Sequence, residues 1–404
     1  MSARIYITGA GVISSIGAGL DEFQRALYAG ASGVGPSAVL AAGVPPEVSV
    51  APQACEVRDF NPQPWLGNKG IRVLDRTARL LCVAAQMALA GVARRAAEPS
   101  EADVNTGLVC GTMFGSLHSI AAFDWSGLED GVNLVNPMDF PNTVISSAAG
   151  QAAIKFKLGG INSTICAAQA SGLYAIHYAT EFLRMGRAEL LLAGGVEELS
   201  PESYLGFRKN GWLTDSGAAP FSERANGMVL GEGAALLALQ AGEAVGGAFA
   251  EMVGFGAAQD SSAVEEFSAD ATGATEAITL ALESAGIGAQ DVGCIIASAS
   301  GSRAGDLMEL RALRTVFGTR LQEVPVHAPK VALGETLGAG GAFAVLCGAL
   351  ALRRQCLPPT VGGSGRAGLA ISPGAQLFSG DYALVNAFSC DGNNASLVLR
   401  RLNL

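Results

Sequence analysis

The sequence predicts an α/β protein, with parallel strands joined by crossover helices. Three observations carry this. Apolar runs of strand length alternate along the 404 residues with longer stretches of helical period. Half of the residues are hydrophobic, only 15% are charged and 53 are glycine, which suits strands buried on both faces with helices packed close against them. The chain also repeats itself. Residues 104–116 resemble 292–302, each an apolar strand running into a Gly/Ser turn after a helix of small residues, at 78–97 and 273–286. The break falls near 240–247, where Gly and Ala concentrate, and divides the chain into similar halves of 1–245 and 246–404. It reads as a seam between packed halves rather than a flexible linker.

The elements follow in order. The first strand begins at Ile5 and runs through Gly9 and Gly11 to a turn at Gly17. Residues 38–52, rich in Ala and Pro, form a surface excursion. After the second apolar strand, Phe114, Leu117, Ile120 and Phe123 recur at helical spacing, and core packing is the expected role of that stripe. A strand then leads into a tight turn of small residues from Cys166 to Gly172, followed by a helical run to Gly186 and a strand over 189–195. In the second half, the strand at Cys294 ends in a Ser/Gly turn, and a helix over 334–353 repeats the one after Gln169. Residues 336–352 form the most helix-like apolar stretch, but they are rich in Gly and Ala and fall short of the roughly 20 apolar residues that cross a bilayer. They are expected to be buried core. No secretory signal opens the chain. The eight cysteines show no CxxC pairing and lie mostly in apolar runs, which points to reduced thiols in a cytoplasm. His118, His177 and His327 are the only histidines, and no close Cys/His spacing offers a metal site. A net charge of −10 and only five lysines leave no basic face for nucleic acid.

The segment around Gln169 has the form of a nucleophile mount. A tight turn lifts one side chain out, and the free N–H groups of the following helix favour negative charge there. Such a place lowers a thiol pKa and makes a thiolate. Gln169 has no ionisable group. Cys166, three residues earlier in the incoming strand, reads as a buried small hydrophobe.

Four ordered segments resemble the β-ketoacyl-acyl-carrier-protein synthases, condensing enzymes of the thiolase superfamily: the first strand with its glycine turn, the Gln169 region up to Ala193-Gly-Gly-Val-Glu197, the stretch from Pro220 to Gly233, and the glycine loop from Val385 to Ser396. The resemblance extends over nearly the whole chain. It implies a thiolase-like fold, with the two halves forming an α/β/α/β/α layered sandwich. Counted back from Ala193 to Glu197 without a gap, the family's cysteine falls on Gln169. The family's first catalytic histidine falls on Ser300 when aligned on the glycine, or on Ser298 when aligned on Asp306 and Glu309. The second, five residues after Lys330 and one after Gly334, is Glu335, an anion that would oppose a developing enolate oxygen. Losing one such donor typically costs about 10²–10³ in rate. Lys330 and Glu335 could form an ion pair where the active site would be. In the C-terminal loop, Ser389, Cys390, Asp391 and Gly392 follow Phe388, and the family's gating aromatic is missing.

A scaffold kept without its three catalytic groups resembles the chain-length factors, the β-type subunits of type II polyketide ketosynthases. This implies no catalytic residue and no cofactor in this chain. The implied partner is a Cys-bearing ketosynthase in a heterodimer, with a shared tunnel lined near Phe114, Leu117, Ile120 and Phe123. Acyl carrier protein, generally acidic, would dock mainly on that partner, because this chain is itself acidic. Arginines 353, 354, 400 and 401 read as ordinary solvated charge. Two alternatives remain: a malonyl-carrier-protein decarboxylase that makes a starter unit, and a pseudoenzyme that only scaffolds a synthase complex.

Overall fold

The computed structural model describes residues 3–92, 103–243, 247–261, 266–362 and 369–402. The seam at 245/246 and the end of the 78–97 helix lie outside these residues. The rest of that helix is Arg76–Ala90.

The predicted duplication is visible in the strand order. In the first half the strands run Asn162–Ile165, Thr106–Gly111, Leu190–Glu197, Gly233–Ala241 and Ile5–Ser14. In the second they run Pro325–His327, Val292–Ile296, Tyr382–Phe388, Asn393–Arg400 and Ala250–Gln259. The first three strands of each set are parallel and the last two antiparallel. The sets join where Ile5, Tyr6 and Ile7 pair with Met252, Glu251 and Ala250. Glu251 takes hydrogen bonds from Arg4 and Arg400 at this junction.

Five layers follow from how the apolar faces are covered. Arg76–Ala90 packs on the outer face of the first half, and Thr272–Ala285, with Arg303–Phe317 against it, covers the second. Between the halves lie the helices Ser171–Arg184 and Gly340–Arg354, which touch strands of both. This is a thiolase-like α/β/α/β/α sandwich. The second central helix is buried at every position from Gly340 to Leu352. The stretch Leu337–Arg354 is long and apolar enough to cross a membrane, but 89% of it is buried inside the protein.

Where the central helices meet the first sheet, only glycine fits. A Cβ on Gly195 would meet the Gly338 carbonyl oxygen at 2.5 Å, and one on Gly338 would meet the Met113 nitrogen at 2.5 Å. The two helices are also mounted alike. Ala168 (φ 44°) and Leu337 (φ 46°) hold the left-handed conformation three residues before Ser171 and Gly340 respectively. A non-glycine residue there costs of order 1–3 kcal/mol, so the surrounding bonds must hold each turn in place.

Two expectations need correction. Cys166 is exposed. It lies one residue beyond the strand, where the chain has turned out of the sheet, and its thiol donates to the Met113 carbonyl at 3.3 Å. The stripe at Leu117, Ile120 and Phe123 is not core either, because the helix Leu117–Glu129 has no buried residue. Phe114 precedes that helix and does pack inward, its ring 6.2 Å from that of Phe207. Sequence period cannot tell a stripe facing the core from one facing an empty side. Arg353 and Arg354 are exposed, as expected of solvated charge, and lie over Phe249 and Tyr28, while half-buried Arg400 binds Glu251.

Candidate functional site

Gln169 ends the turn between the strand Asn162–Ile165 and the helix Ser171–Arg184, and it is buried. Ser171 fastens the turn, its hydroxyl donating to the Ala168 carbonyl at 2.6 Å and accepting from the Ala167 N–H at 2.9 Å. The Gln169 side chain reaches the C-terminal loop. Its Oε1 accepts from the Ser389 hydroxyl at 2.9 Å and from the Cys390 N–H at 3.0 Å. Two donors converging on one oxygen are the arrangement that stabilises an oxyanion. Here an amide oxygen of the chain itself occupies them, which also satisfies a buried polar group.

The other positions singled out by the resemblance gather around this residue. Gln169, Ser298, Ser300, Lys330, Glu335 and Phe388 line one cleft. Its free space is 10 Å³, about the room of a single water. Lys330 Nζ donates to Glu335 Oε2 at 2.7 Å, and Glu335 Oε1 accepts the Leu337 N–H at 3.0 Å, both side chains being buried. Of the two serines, Ser298 is tied to the wall that holds Gln169. Its hydroxyl accepts the Phe388 N–H at 2.9 Å, and its own N–H donates to Glu309 at 3.0 Å. Ser300 instead gives its N–H to Asp306 at 3.1 Å. Burial pushes the Asp306 carboxyl up to about 7 and raises that of Glu309.

Cys390, where the family carries an aromatic, is buried, and burial pushes its thiol up to about 12. With Cys166 also raised by desolvation, neither thiol beside Gln169 is poised as a thiolate. Asp391 closes the loop by accepting from Asn393 at 3.1 and 2.7 Å. The histidines lie elsewhere. His118 is exposed beside Glu202 at 3.1 Å, His177 stacks on Phe255 at 3.8 Å, and buried His327 meets Thr360 at 3.0 Å. No group of His, Cys, Asp or Glu that could hold a metal ion occurs among the described residues.

Sequence reasoning missed a set of buried acids that place the segment after the second strand. Glu197 accepts from the N–H groups of Met113 at 2.7 Å, Phe114 at 3.0 Å and Gly338 at 3.0 Å, and Glu198 accepts from His118 at 3.0 Å. An acid ending an apolar strand was the available signal. Burial pushes Glu197 up to about 7 and Glu198 up to about 8, from an ordinary value of 4.5. A folded pKa above the unfolded one gives stability that is full below the unfolded value and lost as pH rises through the folded one. The melting temperature is therefore expected to fall from roughly pH 5 to roughly pH 9. Glu198→Gln, which keeps an acceptor oxygen, should fall less. A wild-type melting temperature that holds or rises over that range would refute the assignment.

The residues past Phe114 carry an unusual surface. Trp125 is 61% exposed, Leu128 79%, Leu134 73% and Met138 70%. They flank a contact in which Phe123 and Phe140 lie 6.0 Å apart and the helix packs on residues 140–143. Large apolar side chains this exposed are each left without cover by the chain itself.

The fold defines a thiolase-like condensing-enzyme scaffold, and the comparisons with known proteins fix the family. Residues 2–244 match the model for the β-ketoacyl synthase N-terminal domain and 249–364 that for its C-terminal domain. The chain belongs to the β-ketoacyl synthase family. It is 30% identical to a 3-oxoacyl-[acyl-carrier-protein] synthase 2 of Rhizobium meliloti (strain 1021), covering 98% of this chain and 99% of the relative. It is 31% identical to the protein of the same name from Coxiella burnetii (strain RSA 493 / Nine Mile phase I), covering 99% of each. Among solved structures it is similar to the ishigamide ketosynthase/chain length factor, with a TM-score of 0.91, 27% identity and 100% of both chains covered.

Proposed function

We propose that this chain is a chain-length-factor subunit, which pairs in the cytoplasm with a Cys-bearing ketosynthase and shapes the tunnel in which that partner extends a polyketide or polyene chain on acyl carrier protein. One observation carries the reading: Gln169 stands on an intact nucleophile mount with its amide oxygen held by the Ser389 hydroxyl and the Cys390 N–H. Ser298 and the Lys330–Glu335 pair beside it supply neither a nucleophile nor the two expected donors to a developing anion. The exposed apolar side chains from Trp125 to Met138 support a partner on that side, and Ile120 lies on the same helix as Trp125. Gln169, Ser300, Lys330 and Glu335 are thus read as degenerate positions. The likeness to a ketosynthase/chain-length-factor structure supports this reading, although the named sequence relatives are 3-oxoacyl synthases.

The test is co-expression with the Cys-bearing ketosynthase encoded beside this chain. Native mass is expected to give a one-to-one complex, and Ile120→Trp in this chain is expected to shorten the products. A homodimer that ignores the partner would overturn the pairing. Unchanged product length in an intact complex would favour the scaffolding alternative, and CO₂ release from malonyl-carrier protein by this chain alone would favour the decarboxylase.

A further inference from the structure

One half-buried aromatic side chain, Phe267, is part of the lining of the cleft around Gln169. Nearly all of its lining is buried, including Gln169, Ser298, Ser300, Lys330 and Glu335. Among the described lining residues, Phe267 and Gly305 are the two that are half-buried rather than buried. These two touch each other. A Cβ placed on Gly305 would meet three atoms of the Phe267 ring at 3.0–3.2 Å, so the ring tip rests on the glycine backbone. From the other side the ring is backed by Trp212, with centroids 6.1 Å apart, which packs on Phe207 at 5.7 Å and through it on Phe114.

We infer that Phe267 is a stopper that closes the surface route to Gln169, so that this subunit refuses a thioester carried on a pantetheine arm. A fixed aromatic backed by a row of aromatics loses that packing if it swings out. Together with the filled donor pair, the closed mouth excludes the substrate as well as the chemistry. Within the proposed function, it directs carrier-borne chains to the ketosynthase partner alone.

Accessibility of position 169 to a thiol-reactive pantetheine tests this. Gln169→Cys is made in a Cys166→Ser background, which removes the exposed native thiol, and is combined with Phe267→Ala or the milder Phe267→Leu. The probe is pantetheine bearing a chloroacetamide, and the adduct at position 169 is followed by peptide mass against total alkylation of the unfolded chain by iodoacetamide. Phe267→Ala is expected to raise the labelling rate at least tenfold, with Phe267→Leu between. Equal rates with and without Phe267, whether fast or slow, would overturn the stopper. The assay is run on the chain alone. A failure to pair with the ketosynthase would count against the proposed function and leave this result standing.

Discussion

Lys330→Met is expected to destabilise the protein by about 3–5 kcal/mol, the usual cost of removing one partner from a buried ion pair. The size follows from what is left behind. Glu335 is buried, its Oε2 lies 2.7 Å from Lys330 Nζ, and its Oε1 is already engaged by the Leu337 N–H. Without the lysine, the Glu335 carboxyl would lose its counter-charge in a cleft with room for about one water. The backbone offers no relief, because Glu335 N–H bonds the Val229 carbonyl and the Glu335 carbonyl takes the Gly231 N–H. The double variant Lys330→Met/Glu335→Gln should regain most of the loss, since a neutral amide keeps the Leu337 bond without an unpaired charge. Urea-denaturation free energies of wild type, both single variants and the double variant measure the coupling. A Lys330→Met protein within about 1 kcal/mol of wild type would mean that the pair contributes little, and that the surrounding turns hold the cleft without it.

The same cleft shows what was legible in advance. Gln169 could be placed by counting back from Glu197, because strand and helix lengths leave little slack between two turns. The Lys330–Glu335 pair followed from a five-residue spacing across one short helix and a glycine. The duplication was readable because each half needs the same order of apolar runs and turns to bury its strands. The choice between Ser298 and Ser300 was not readable, since glycine and acid anchors gave different registers. Both serines line the cleft, Ser298 bonding the Phe388 backbone and Ser300 bonding Asp306. Phe267 escaped notice because it belongs to none of the motifs read from the sequence and is flanked by Glu266 and Ser268. Its position depends on Gly305 and Trp212, remote in sequence. Cys166 and the Leu117–Ile120–Phe123 stripe were misjudged for a common reason. Local pattern gives the period of an element but not what stands opposite it, and the chain covers the Leu117–Ile120–Phe123 stripe only in part.

That half-covered side leads to the second large effect. Leu134→Glu and Met138→Glu are each expected to weaken pairing with the ketosynthase by about 10²-fold or more in Kd, while leaving the free chain's melting temperature nearly unchanged. Both side chains are more than two-thirds exposed, at 73% and 70%, and surface substitutions away from packed features usually shift stability by less than about 0.5 kcal/mol. Once a partner covers the site, the same carboxylate loses its water without gaining a counter-charge, a penalty that reaches several kcal/mol. Each 1.4 kcal/mol is tenfold in Kd. The exposed rim offers a contrast. Glu129→Gln, at the end of the helix and away from the Phe123–Phe140 contact, should change Kd little, because exposed charges contribute about 0–1 kcal/mol. Titration of the labelled chain with the ketosynthase, paired with melting curves of each variant, separates the possibilities. If the glutamates leave Kd unchanged, the apolar surface serves some other contact and the heterodimer must form elsewhere. If they lower the melting temperature of the free chain as much as they weaken binding, the surface supports this chain's own fold, and its exposure is no argument for a partner.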